Sequence, residues 1–159
     1  MATAPPGRPA VTLDASFIVA YCTREPGRFA TAEAELKRLA GAGYSLYAPE
    51  VVVSEVLFVI CRKTEKGELT GPEAVQAVNS FAALMGAVQP PPGGDKALIA
   101  DAVRIRGSYT CLRVSDSLYL ALAEQLAALG CPELLTFDKD LRSHAAANAP
   151  GVTVRLFSP

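Results

Sequence analysis

Short apolar segments typical of strands alternate along this chain with longer segments that carry apolar residues at helical spacing. The candidate strands are Ala10 to Asp14, Tyr44 to Ala48, Ala87 to Gln89, Glu133 to Phe137 and Val152 to Phe157. Strands that are separated by helices can pair in parallel, because each helix carries the chain back to the start of the next strand. The alternation therefore predicts an α/β domain with a mainly parallel sheet and helices on both of its faces.

The candidate helices lie between these strands. Thr70-Gly-Pro-Glu73 matches a capping box, and Gly130 ends the clearest apolar stripe. Three valines after Pro49 favour a strand, but a proline in the first turn and the length of the segment favour a helix. The predicted helices are Ser16 to Cys22, Thr31 to Ala40, Pro49 to Cys61, Thr70 to Met85, Lys96 to Arg106, Ser115 to Leu129 and Asp138 to Ala147.

Length and composition predict one folded domain. The chain has 159 residues, of which 50% are hydrophobic and 19% charged, enough to bury a single core without disulfides or structural metals. We expect residues 1–9 to form a disordered proline-rich lead and residues 10–159 to form the domain. No apolar run reaches the roughly 20 residues of a membrane span, and the N-terminus lacks a signal core. We expect a soluble cytoplasmic protein, with reduced and buried thiols at Cys22, Cys61, Cys111 and Cys131.

The charge balance restricts how nucleic acid could bind. A formal net charge of -1 gives no overall positive field, so a nucleic acid would need a local basic patch. Arg104, Arg106 and Arg113 could form such a patch and contact phosphate, because guanidinium groups bind phosphate through two hydrogen bonds. A solvated helix face is the alternative for these arginines.

Two acids end candidate strands. Asp14 follows the first strand and Asp138 follows the fourth, so both should lie at the carboxyl edge of a parallel sheet, where ligands collect. Each could instead cap the helix that follows it. The hydroxyls of Ser16 and Thr136, next to these acids, could bond to a carboxylate or a metal-bound water, or could simply belong to turns.

Glu55 and Asp116 lie on candidate helices. Apolar residues surround Glu55 on every helical face, and an unpaired buried carboxylate costs several kcal/mol. It therefore needs a partner, which is either an arginine or lysine, or a metal ion. Asp116 begins its helix next to Ser115, and since either residue could cap the helix, one of them is available for another role.

The remaining motifs narrow the chemistry. His144 is the single histidine, which excludes a ribonuclease mechanism that needs two imidazoles. The chain has no phosphate-binding loop and no dinucleotide fingerprint. Four acids without histidine ligands suit Mg²⁺ or Mn²⁺, and phosphodiester cleavage is a natural use of such an ion.

The acids lie in four segments that resemble the motifs of the PIN-domain family. These segments are VTLDASFIVAY, PEVVVSEVLFVICRK, SDSLYLALAE and LLTFDKDL, and the resemblance runs from about Val11 to Phe157. It implies a three-layer α/β/α sandwich and metal-dependent endoribonuclease activity. Carried over residue by residue, it implies that Asp14, Glu55, Asp116 and Asp138 hold Mg²⁺ or Mn²⁺ and that the hydroxyls of Ser16 and Thr136 support them.

The resemblance also implies partners. Many small members of the family are VapC-like toxins, which pair with an antitoxin, cut RNA and form homodimers. The helices at Pro49 to Lys63 and Thr70 to Met85 are the candidate dimer interface. Asp140 competes with Asp138 for the fourth position, although the T-x-D spacing favours Asp138. The alternatives are a non-catalytic RNA-binding or scaffold module and a phosphotransfer hydrolase on a similar fold.

Overall fold

The alternation of strands and helices is confirmed by a computed structural model, which describes residues 7–106 and 114–159. The strands are β1 (Ala10–Leu13), β2 (Ser45–Tyr47), β3 (Val88–Gln89), β4 (Glu133–Thr136) and β5 (Thr153–Leu156). The helices are α1 (Ala15–Cys22), α2 (Phe29–Gly41), α3 (Val52–Glu65), α4 (Gly71–Met85), α5 (Ile99–Ile105), α6 (Val114–Ala127) and α7 (Lys139–Asn148). Of the lead expected at residues 1–9, residues 1–6 lie outside the described residues.

The five strands form one sheet in the order β3-β2-β1-β4-β5, and each neighbouring pair is parallel. β1 lies in the centre, and its four residues are all buried. The chain leaves β1 towards β2 on one side, whereas β4 pairs with β1 on the other side. The strand order therefore reverses at β1 and β4, and a parallel sheet opens a crevice for ligands at such a point.

The helices cover both faces of the sheet. The crossovers from β1 to β2 and from β2 to β3 run in one direction, and those from β3 to β4 and from β4 to β5 run in the other. Because such crossovers are right-handed, the first two place α1 to α4 on one face and the last two place α5 to α7 on the other. The packing agrees with this, since α1 contacts α2, α3 and α4, and α5 packs on α6.

The starts of α3 and α4 are capped in different ways, one by a residue distant in the sequence and the other by neighbouring residues. The capping box at α4 is confirmed, with Thr70 accepting from the Glu73 amide and the Glu73 side chain accepting from the Thr70 amide. α3 begins at Val52 rather than at Pro49. The side chain of Asp95 accepts from the amides of Glu50 and Val51 at 2.7 and 3.0 Å, so a residue distant in the sequence caps the entry to α3.

Two sequence-based expectations need adjustment. The predicted helix from Lys96 to Arg106 begins with a 3₁₀ turn at Asp95–Leu98, before α5. Cys22 is buried as expected, but Cys61 is exposed and Cys131 is half-buried. Among the described helices, none is long and apolar enough to cross a membrane.

Candidate active site

Asp14 is the buried acid at the carboxyl end of the central strand. It caps α1 by accepting from the Ser16 amide at 3.2 Å, as an aspartate after a strand often does. Its side chain is also deeply enclosed, with the residue only 6% exposed. The capping alternative is therefore correct for this residue, but capping alone does not require such burial.

Two hydroxyls hold the same carboxylate. Ser16 Oγ donates to Asp14 Oδ2 at 2.5 Å, and Thr136 Oγ1 donates to that oxygen at 2.8 Å. The backbone fixes both hydroxyls in turn, because the Phe137 amide donates to Ser16 Oγ and the Asp138 amide donates to Thr136 Oγ1. The network joins the ends of β1 and β4 at the point where the strand order reverses.

The surroundings of Asp14 oppose its ionisation. The pKa of its carboxyl is raised from the ordinary value of 3.8 to about 6, mainly because the group is buried and in smaller part because of the negative charge of Asp116. The hydrogen bonds from Ser16 and Thr136 lower the pKa and offset part of this effect. Asp14 is thus a carboxylate whose charge lacks full compensation from the described protein groups.

A buried phenol contacts Glu55 and is influenced by the charges of Asp14 and Asp116. Tyr119 on α6 is 1% exposed, and its hydroxyl donates to Glu55 Oε2 on α3 at 2.5 Å. Burial raises the pKa of the Tyr119 hydroxyl, and the charges of Asp14, Glu55 and Asp116 raise it further. The three acids therefore lie within electrostatic reach of one hydroxyl, although they come from one strand end and two helices.

The expectation that apolar groups enclose Glu55 is wrong. Only one stripe of α3, which includes Val52, Val56 and Ile60, is buried, and Glu55 itself is half-buried. Leu57 and Phe58 are 41% and 65% exposed. The sequence of α3 has apolar residues on every face, but the helix packs on the core through one face only. The burial of Glu55 could therefore not be predicted from the residue types around it.

Asp138 follows β4 and is linked to Asp14 through Thr136. It caps α7 by accepting from the Asp140 amide at 2.8 Å, and its own amide bonds to Thr136, which holds Asp14. Asp138 is half-buried, whereas Asp140 is exposed on the first turn of α7. The position of Asp138 at the end of β4 agrees with the sequence prediction.

The donor atoms at this edge suit a hard cation, but they are not assembled around one. Within residues 7–106 and 114–159, no three acid, histidine or cysteine side chains are grouped closely enough to hold a metal ion. The donors nevertheless are all oxygens, and the buried Asp14 carboxylate has a raised pKa. A divalent cation would compensate such charges, so the residues fit Mg²⁺ or Mn²⁺ in chemistry.

Comparisons with known proteins identify the family. The family model described as "PIN domain" matches residues 11–147, which is most of the chain. The chain belongs to the PIN-domain family. No protein with a curated description matches it.

A solved structure supports the same fold. It is the crystal structure of VapBC2 from Rickettsia felis bound to a DNA fragment from their promoter, and a chain in it aligns with a TM-score of 0.60. The alignment covers 94% of this chain and 99% of that chain, at 11% sequence identity. The likeness confirms the α/β fold of this PIN domain.

The arginines proposed to contact RNA differ in their surroundings. Arg104 on α5 bonds to Asp101 at 3.4 Å and to Glu124 on α6. Arg106 ends α5 and is half-buried. Arg113 lies outside the described residues. In this PIN domain, a phosphate at Arg104 would therefore compete with two carboxylates.

Sequence reasoning did not single out Tyr119, since it reads as one more apolar position in the stripe of α6. A signal was available, because Tyr119 follows Asp116 by three residues and so lies on the same side of the helix. Asp95 was also missed, since its role as a cap for α3 depends on a contact across 45 positions in the sequence. Asp95 does not stand out without the fold.

Proposed function

We propose that this PIN domain is a metal-dependent endoribonuclease, the toxin of a VapBC-like toxin–antitoxin pair that acts in the cytoplasm. The observation that carries the proposal is that Glu55 accepts a hydrogen bond from the buried Tyr119 hydroxyl, on which the charges of Asp14 and Asp116 also act. Asp138 follows the strand next to that of Asp14, at the same edge of the sheet. A charge arrangement of this kind has no evident purpose in a scaffold module.

The four acids would hold Mg²⁺ or Mn²⁺, with Asp14 as the buried member. The cation, when bound, would lower the pKa of an attacking water and neutralise charge on the scissile phosphate. Ser16 and Thr136 would keep Asp14 oriented through the bonds to its Oδ2. Because three donors already converge on Oδ2, Oδ1 is the proposed ligand atom of this carboxylate.

Substrate contacts are proposed for the arginines upstream of Asp116. Arg104, Arg106 and Arg113 would bind RNA phosphates, and their positive charge would offset the acids of the site for a polyanionic substrate. At Arg104 the phosphate would replace Asp101 and Glu124 as the acceptor. These contacts would position RNA without reading its sequence.

Two protein partners are part of the proposal. The VapBC2 structure is that of a complex bound to promoter DNA, which supports a VapB-like antitoxin as the partner here. A homodimer is supported by exposed apolar side chains on the helices expected at its interface, namely Val53, Leu57 and Phe58 on α3 and Val75 and Val78 on α4. Light scattering at micromolar concentration should give twice the 16.7 kDa chain mass, and a monomer would refute the dimer.

The activity is tested by cleavage of a fluorescent single-stranded RNA. The purified protein should cut it with Mg²⁺ or Mn²⁺ and stop in excess EDTA, because no histidine pair is present to replace the cation. Asp116→Asn should lower cleavage at least about 100-fold, since the amide retains the shape but removes a charge that holds the ion. Glu33→Gln, at a solvent-facing ion pair with Lys37 on α2, is the matched control and should cleave normally.

Equal cleavage in excess EDTA would reject the metal-dependent mechanism. Metal binding without cleavage of any RNA would instead favour the binding-module alternative. Full activity of Asp116→Asn would remove that residue from the site.

A further inference from the structure

The contact between Tyr119 and Glu55 joins two helices that belong to different layers. The Tyr119 ring belongs to the core, where the residue is 1% exposed. Its hydroxyl emerges at the acid-bearing edge and donates to Glu55 Oε2 at 2.5 Å. A tyrosine is well suited to such a boundary, because its ring is apolar and its hydroxyl seeks a partner when buried.

The hydroxyl is held as a donor. The ring of Tyr119 lies in the core, and its hydroxyl oxygen lies within hydrogen-bond distance of a carboxylate oxygen of Glu55. A carboxylate can only accept when ionised, so the hydrogen bond has one direction. Bonds of this type, from a hydroxyl to a charged oxygen, are among the stronger hydrogen bonds in proteins.

Glu55 needs this restraint more than Asp14 does. It is a longer side chain on a helix whose neighbouring positions include exposed Leu57 and Phe58. Its carboxylate accepts a hydrogen bond from the hydroxyl of Tyr119. Without that bond the Glu55 side chain would sample other rotamers, with an entropy that ion binding must then overcome.

We propose that Tyr119 is the positioning residue for Glu55. Its hydroxyl holds Oε2 and thereby restrains the Glu55 carboxylate at this edge before a divalent cation arrives. The inference rests on the proposed function and extends it. It assigns to a core tyrosine the role of orienting one ligand of the metal site before the ion binds. Partners that orient metal ligands typically change metal affinity by about 10- to 100-fold.

Tyr119→Phe tests this role, because it removes the hydroxyl and keeps the ring. The dissociation constant for Mn²⁺, measured by isothermal titration calorimetry on the full chain, should rise about 10-fold or more. Tyr47→Phe is the matched control. Tyr47 is also almost fully buried at 2% exposure, but its hydroxyl is influenced by Cys131, which precedes β4, whereas Asp14 and Asp138 follow the ends of their strands. Its Mn²⁺ affinity should match that of the wild type within about twofold.

A double-mutant cycle identifies the residue through which Tyr119 acts. Glu55→Gln alone should weaken Mn²⁺ binding, and adding Tyr119→Phe should then change the affinity by less than about twofold. A tyrosine that only supports the core would lower the melting temperature in either background and would leave Mn²⁺ affinity unchanged. Melting temperatures of the same variants in EDTA therefore accompany the titrations.

The outcomes separate this inference from the proposed function. If the wild type binds Mn²⁺ and Tyr119→Phe binds it equally well, the positioning role is wrong and the proposed function stands. If the effects of Tyr119→Phe and Glu55→Gln are additive, Tyr119 does not act through Glu55, and the inference is again overturned. If the wild type does not bind Mn²⁺, both the inference and the proposed metal site are wrong.

Discussion

Asp14 and Glu55 are held in place by different parts of the molecule. Asp14 ends the central strand, is 6% exposed and accepts from one amide and two hydroxyls. Those hydroxyls are themselves fixed by amides of the segment that follows β4. Glu55 is half-buried on α3 and is held by the phenol of Tyr119. One acid is anchored through the backbone, and the other through a single side chain.

This difference divides the site into a rigid half and an adjustable half. The strand ends are set by the pairing of β1 with β4, so their geometry persists as long as the sheet does. The position of Glu55 depends on how α3 packs and on one hydroxyl of α6. We therefore expect changes around Asp14 to alter folding stability, and changes around Glu55 to alter metal affinity with smaller effects on stability.

The largest expected effect on stability is the pH dependence that Asp14 creates. Burial raises the pKa of its carboxyl from 3.8 to about 6, so the folded state holds the proton more tightly than the unfolded state. Stability from this group is thus present at low pH and is lost as the pH rises through about 4 to 6. At about 1.4 kcal/mol for each pH unit between the two values, the loss is about 3 kcal/mol.

Urea unfolding in EDTA, from about pH 4 to about pH 7, measures this loss. Asp14→Asn cannot titrate, so the unfolding free energy of the wild type should decline relative to that of the variant by about 3 kcal/mol. Taking the difference cancels the contributions of the other carboxyls. If the unfolding free energies of the two proteins change with pH in parallel, the pKa of Asp14 is not raised by folding. The distinction drawn between Asp14 and Glu55 would then fail.

A smaller effect is expected from the hydroxyl that bridges Asp14 and the segment after β4. Thr136→Val keeps the shape but removes the donor to Asp14 Oδ2 and the acceptor for the Asp138 amide. Loss of these buried partners should lower the free energy of unfolding by about 2 kcal/mol. Urea unfolding at neutral pH in EDTA provides the measurement.

Thr12 offers a matched control on β1, the neighbouring strand. It is fully buried like Thr136, but its hydroxyl oxygen has no hydrogen-bond partner within residues 7–106 and 114–159. Thr12→Val should therefore be neutral or stabilising, since it removes a polar group without breaking a bond. If both valine variants lose the same stability, the bond between Thr136 and Asp14 has no special role.

The sequence predicted the rigid half of the site better than the adjustable half. The positions of Asp14 and Asp138 follow from local pattern alone, because an acid after a strand in a parallel sheet lies at the carboxyl edge. The environment of Glu55 depends on which face of α3 is buried, and a helix that is apolar all round does not reveal it. Tyr119 and Asp95 act on residues 64 and 45 positions away, so no local pattern shows which residue each of them contacts.

The central claim is that a cation held at these acids cuts RNA, and Asp14→Asn tests it most directly. Cleavage of single-stranded RNA should be measured for the wild type and the variant while Mn²⁺ is raised to saturation, with circular dichroism used to verify that both are folded. The account predicts a loss of at least about 100-fold that added Mn²⁺ does not restore, because the amide cannot supply the missing charge. Full activity of Asp14→Asn at saturating Mn²⁺ would contradict the account.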